Sequence, residues 1–284
     1  MLYCFSLSPT QQKANYRLTN RMRLQFEKRQ APKINKILQK ELNECTKVIR
    51  NSPGIHTAID SIEKVITERD EQKLNFLEDL WIQVGKKFYD DTLEAFEKAY
   101  HLDLIHPLYS AGVHRGKRIR RSRTFLPEDP WINSALNHLE EHGGAFISQI
   151  NETSRKEVKK RLMLGQLAGD SLDDIAKQLE NIVKPTYANR AKTIARTETC
   201  ASSNKAGQEA CKHTGFETEK AWYSSPDSKT RDQHSEMDAN NWLDIDELFE
   251  VGGELMAYPG DSGNGASAAN IVNCRCAQLF RLKK

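Results

Sequence analysis

Apolar positions recur at helical spacing through most of the chain and give way to short alternating runs only after Gly215. Residues 11–50 read as helix around Leu24, Phe26, Ile34, Ile37 and Leu38, with Pro32 expected to break or kink it. Asn51-Ser52-Pro53-Gly54 is a turn. One or two helices follow over 56–100, where Leu74, Leu77, Trp81, Val84 and Phe88 recur every three or four residues and make one face apolar. Residues 101–130 lose the period; Pro107, Gly112, Gly116, Pro127 and Pro130 mark a loop or hinge. Helical spacing returns from Trp131 to Gly143-Gly144, and again from Phe146 to Leu164. Gly169 is placed to end that helix in a left-handed conformation, and Ser171 to cap the next one with Asp174 three residues on. Beyond Pro185 a long helix is predicted over 189–213, with Gly215 as its stop. After it, Trp222-Tyr223, Ser224-Ser225-Pro226-Asp227, Gly252-Gly253 and Pro259-Gly260 alternate extended runs with turns.

The fold class is therefore α+β, a helical N-terminal region followed by a small C-terminal α+β domain with short strands. The expected divisions are an N-terminal helical region at 1–110, a basic hinge at 111–130, a helical connector at 131–185 and a C-terminal domain at 186–284. A chain of 284 residues is long enough for two modest domains. No apolar run reaches eighteen residues, so no transmembrane helix and no membrane partner are expected, and the N-terminus has no pattern of a secretory leader. Mean hydropathy of −0.68 agrees.

Charge changes this picture by its distribution. The net formal charge is only +3, yet residues 13–40 carry Lys13, Arg17, Arg21, Arg23, Lys28, Arg29, Lys33, Lys36 and Lys40 against Glu27 alone. Residues 227–261 carry ten acidic side chains against Lys229 and Arg231. A basic end of this kind suits an acidic partner. Of six cysteines four are scattered, which argues against a disulfide framework; only Cys274 and Cys276 are close in sequence.

Candidate chemistry falls in three places. In Ile194-Ala195-Arg196-Thr197-Glu198-Thr199, Glu198 shares a stripe with Ile194, Ala195 and Ala201, so it either lies buried opposite a donor, cation or metal or sits solvated at the stripe's edge. The segment 222–234 holds Trp222, Asp227, Lys229, Arg231 and His234. In an extended segment Cys274 and Cys276 would project to one face and could both reach one ion. With His234, and a fourth ligand from Asp227, Glu198 or Cys211, a tetrahedral zinc site is chemically sensible. The alternative is one cysteine packed in the core and the other idle.

Taken in order, IARTE on a helix, W-x4-D-x-K-T-R-x-x-H, F-x-V-G-G-E, a P-G-D turn and N-x-x-N-C-R-C resemble the phage Mu protein F-like head morphogenesis domain over roughly residues 150 to 280. The matching positions are Arg196, Thr197, Glu198, Trp222, Asp227, Thr230, Arg231, His234, Gly253, Glu254, Pro259, Asn273, Cys274, Arg275 and Cys276. Lys229 departs from the arginine more usual there, which keeps the charge but loses fork geometry. The resemblance implies a minor capsid protein of the virion, acting in head assembly or DNA ejection beside the portal or other capsid proteins.

Arg115, Lys117, Arg118, Arg120, Arg121 and Arg123 put six positive charges within nine residues. Phosphates would order such a stretch through salt-dependent contacts, and non-specific DNA contact fits the implied head role; the plain reading is a solvated basic loop. Two other classes compete with the head protein. One is a metal-dependent hydrolase or nuclease using Glu198, Asp227, Arg231, His234 and the cysteine pair. The other is a nucleic-acid-binding protein carried by residues 13–40 and 115–123.

Overall fold

The first helix is opened by Ser8, whose hydroxyl accepts the N–H of Gln11 while the Gln11 side chain accepts the N–H of Ser8. The computed structural model describes residues 8–100, 129–237 and 239–283. The basic hinge, including Arg115, Lys117, Arg118, Arg120, Arg121 and Arg123, lies outside the described residues.

Helix α1 (Pro9–Asn51) runs unbroken through Pro32, contrary to the expected break. Pro32 and Lys28, the residue whose carbonyl loses its intrahelical donor, are both exposed, on the side of the helix where loss of that bond costs least. Helices α2 (Ile55–Thr67) and α3 (Asp70–Tyr100) follow, and α3 buries Leu77, Trp81, Val84 and Phe88. Helix α4 (Pro130–Ala168) also differs from expectation: it passes straight through Gly143-Gly144. Gly143 is buried there because α3 leaves no room; an added Cβ would sit 3.3 Å from a Leu74 methyl.

Gly169 ends α4 at φ 74, and the Ser171 hydroxyl caps α5 (Leu172–Gln178) through the N–H of Asp174. A π-helical turn at Leu179–Val183 and a 3-10 turn at Lys184–Thr186 lead into α6 (Tyr187–His213). Strand β1 (Thr218–Tyr223) is the centre of an antiparallel sheet, flanked by β2 (Leu243–Asp244) and β5 (Ala277–Leu282). Helix α7 (Asp232–Ser235) lies between β1 and β2. Strands β3 (Phe249–Val251) and β4 (Glu254–Met256) form a separate hairpin, and α8 (Ala268–Ile271) precedes β5. Gly252 and Gly253, at φ 59 and 79, make the two-residue turn whose twist a hairpin favours. The architecture is α+β, as expected.

The main core is continuous from Phe26 of α1, through α2 to α6, to Phe280 of β5, so it crosses the boundaries expected at 110–130 and at 185. Lys73 is wholly buried and holds this bundle together by pairing with Glu41 at 2.6 Å. Glu41 also accepts the Ser154 hydroxyl at 2.6 Å, and Ser154 accepts Arg190 at 3.0 Å. One polar network thereby joins α1, α3, α4 and α6. A second, smaller core contains Cys200, Trp222, Phe249, Val251, Met256, Ile271, Cys274 and Cys276. Helix α6 lines both.

The basic run of α1 faces outward, with Lys13, Arg17, Arg21, Lys28, Lys33, Lys36 and Lys40 exposed. Arg23 is the exception: at 2 % exposure it enters the protein and donates to Ser203 (2.7 Å), Asn204 (2.8 Å) and the carbonyl of Cys276 (3.0 Å). Among the described residues no helix is long and apolar enough to cross a membrane.

Candidate metal centre

Helix α6 brings two faces to the site. One carries Glu198 and Ser202 towards α3; the other carries Thr197, Cys200 and Asn204, spaced at i, i+3 and i+7, towards the C-terminal segment. Glu198 is 6 % exposed, so the buried reading of its position holds. Its partner is the indole N–H of Trp81, at 3.0 Å, rather than a cation or metal. Burial raises its carboxyl to about 7, partly opposed by that hydrogen bond. Ser202 donates to the Trp81 carbonyl at 3.1 Å, fixing the same contact from the next turn.

The second element is the loop between β1 and α7. Asp227 does not approach the thiols; both its oxygens take the Arg275 guanidinium, at 2.6 and 2.8 Å. That pair, with Ser225 donating to Asp227, holds its carboxyl below the usual range against the opposing effect of burial. Thr230 donates to the Ser225 carbonyl at 2.6 Å, and Arg231 donates to the Val272 carbonyl. The loop is thus folded back on itself and pinned to the segment that leads into β5. Tyr16 of α1 reaches the same place, its hydroxyl 2.7 Å from the Ser225 Oγ. His234, 1 % exposed, points inward from α7, with Trp222 edge-on to its ring at 5.3 Å.

The third element begins at Asn273, whose φ of 62 reverses the chain after α8. Its N–H donates to Thr197 at 3.1 Å, and its side-chain oxygen accepts Arg196 at 3.3 Å. Arg196 is further held by Glu27 at 3.2 Å. Cys274 and Cys276 then turn into the small core at 2 % and 1 % exposure. Gly260, at φ 90, lets the Pro259 turn press onto α6; a Cβ there would stand 3.2 Å from the Ala201 backbone.

His234, Cys274 and Cys276 converge, their ligand atoms all within 4.8 Å of one another. The two sulfurs lie 3.7 and 3.5 Å from His234 Nδ1. Zinc bonds of about 2.0–2.1 Å to nitrogen and 2.3 Å to sulfur, at a tetrahedral angle, separate such atoms by about 3.5–3.6 Å. The donor set and spacing therefore fit a zinc ion. The imidazole is also set in the required tautomer. Asn270 donates its amide to Glu254 (2.7 Å) and to the Val251 carbonyl (3.2 Å), which leaves its oxygen, 3.3 Å away, to accept the His234 Nε2–H. Nδ1 then presents its lone pair to the sulfurs. The Cys276 thiol is held well below its ordinary value, because Cys274 and then His234 stabilise the thiolate more than burial opposes it.

Of the fourth ligands expected from sequence, none is in place. Asp227 belongs to Arg275, Glu198 to Trp81, and Cys211 to the main core. The residue that spacing did not single out is Cys200, which is 2 % exposed, shares the small core with Cys274 and Cys276, and has its sulfur 3.6 Å from the Cys276 carbonyl. The i, i+3, i+7 stripe Thr197-Cys200-Asn204 is the signal in the sequence that could have found it. Arg196, Trp222, Arg231 and Asn273 hold the three elements against one another.

Residues 156–279, somewhat less than half the chain, match the family model described as Phage Mu protein F like protein. No curated protein and no solved structure matches the chain.

Proposed function

We propose, from the match of residues 156–279 to the Phage Mu protein F like family model, that this is a phage-head-related protein, a minor head protein acting in head morphogenesis and associated with the portal vertex. The observation that carries the reading is the convergence of the matching segments. Arg196, Thr197 and Asn273 bond directly, Arg231 bonds Val272, and Asp227 bonds Arg275, so the motif is the frame of one folded module. The exposed basic face of α1 suits an acidic partner such as packaged DNA. The resident cofactor in this reading is zinc, held by His234, Cys274 and Cys276. It would keep the module folded.

A hydrolase needs an open metal position beside substrate. Ligands exposed by no more than 2 % support a staple rather than a reaction centre. The test is co-expression of the tagged chain with the portal and major capsid proteins of its own phage. The portal protein is expected to co-purify through a high-salt wash; recovery of no capsid component overturns the head assignment.

A further inference from the structure

We infer that Cys200 is the fourth ligand of a closed Cys3His zinc site, joining α6 to the α7 turn and the segment before β5; this rests on the zinc reading above. Cys200 is a further buried donor beside the pair, its sulfur reaching the backbone of Cys276. It shares the small core with Cys274 and Cys276. Its sulfur is not one of the three mutually close ligand atoms, so closing the site requires the Cys200 side chain to turn towards them. That sulfur lies 3.6 Å from the Cys276 carbonyl and 3.9 Å from the Pro259 carbonyl, which suits a neutral thiol that donates.

The surroundings also provide for the ionised form. Asn204, one turn along α6, directs an amide N–H at the Cys200 sulfur from 3.5 Å, the kind of outer hydrogen bond that orients and stabilises a metal-bound thiolate. Zinc with three thiolates and a neutral imidazole carries one net negative charge, which a buried site must balance. The Arg23 guanidinium is placed to do this, donating to Asn204 at 2.8 Å and to the Cys276 carbonyl at 3.0 Å. Among the described residues no competing donor is in position. The Asp227 oxygens are engaged by Arg275, Glu198 faces the other side of α6, and the 1–2 % exposure of Cys200, His234, Cys274 and Cys276 keeps bulk water away. Four protein ligands with no open position describe a structural site.

The experiment is zinc-edge X-ray absorption on the purified wild-type chain, with cobalt(II) substitution of the wild type and of Cys200→Ser. Three sulfurs and one nitrogen are expected around zinc, and Cys200→Ser should lower the thiolate-to-cobalt charge-transfer band by about a third, from three thiolates to two. Zinc bound with two sulfurs and two lighter atoms, or a cobalt band unchanged in Cys200→Ser, overturns the role of Cys200 while leaving a three-residue zinc site. A wild-type chain that takes up neither zinc nor cobalt removes the zinc reading itself. The absorption measurement uses the wild type, so it decides the matter even if Cys200→Ser fails to fold.

Discussion

Trp81 stands between two buried ionisable side chains: its indole N–H donates to Glu198 at 3.0 Å, and its ring stacks on His138 with centroids 4.4 Å apart. Burial is the main reason His138 is pushed down to about 3, with Lys205 and His142 adding positive charge nearby. The imidazole is therefore neutral in the folded protein at every physiological pH. As pH falls below the ordinary value of 6.5, the unfolded chain binds a proton at His138 that the folded chain refuses until about 3. Stability from this residue is full above pH 6.5 and is lost on acidification, at up to about 1.4 kcal/mol per pH unit. His138→Phe keeps an aromatic ring on Trp81 and removes the titration. Between about pH 6.5 and 5, urea unfolding of the wild type should lose about 2 kcal/mol more than the variant loses. Equal losses would mean that His138 is hydrated. The Glu198 stripe was legible in the sequence, since helical spacing put it among small residues. Its indole partner was not, because Trp81 lies 117 residues away and nothing local links the two.

Helices α1 and α4 show how local breakers are overruled. Pro32 and Gly143-Gly144 are helix-interrupting residues, yet both helices continue through them. Burial of apolar faces on either side outweighs a cost of about 1 kcal/mol for each glycine and about 3 kcal/mol for the proline. The two glycines of α4 differ in environment. Gly144 is exposed, with open space where a methyl group would stand, whereas a methyl on Gly143 would lie 3.3 Å from Leu74. Gly144→Ala should therefore stabilise by about 0.5–1 kcal/mol, while Gly143→Ala should gain less or destabilise. Thermal denaturation of the two variants checks this. Loss of stability in Gly144→Ala would show that α4 does break there. Turn and cap residues are legible in the sequence: Gly169, the Ser171 cap and the Gly252-Gly253 turn depend on backbone angles and neighbours within three residues.

Across the whole molecule, one apolar core and the Lys73–Glu41–Ser154–Arg190 network run through α1, α3, α4 and α6, and Arg23 ties α1 to the C-terminal segment. Such a body should unfold in one cooperative step, without a separate transition for the 186–284 segment. On the proposed zinc reading, a chelator should lower the Tm of that single step by several degrees, since metal bound to the folded state alone adds to its stability. Scanning calorimetry before and after chelation tests both points. Two resolved transitions would show independently folding domains, and a Tm indifferent to chelation would count against a structural metal.

By itself the sequence determined the helical spacing, the turns, the α+β class and the pairing of Cys274 with Cys276, because each follows from residues a few positions apart. Tertiary structure alone decided that Cys200 rather than Asp227, Glu198 or Cys211 stands beside the cysteine pair, that Asp227 is engaged by Arg275, and that α1 to α6 and Phe280 share one core. Those outcomes depend on which face of α6 meets which distant segment. Helical period limits a residue to a face, and only packing against α3, α7 and β5 settles what that face touches.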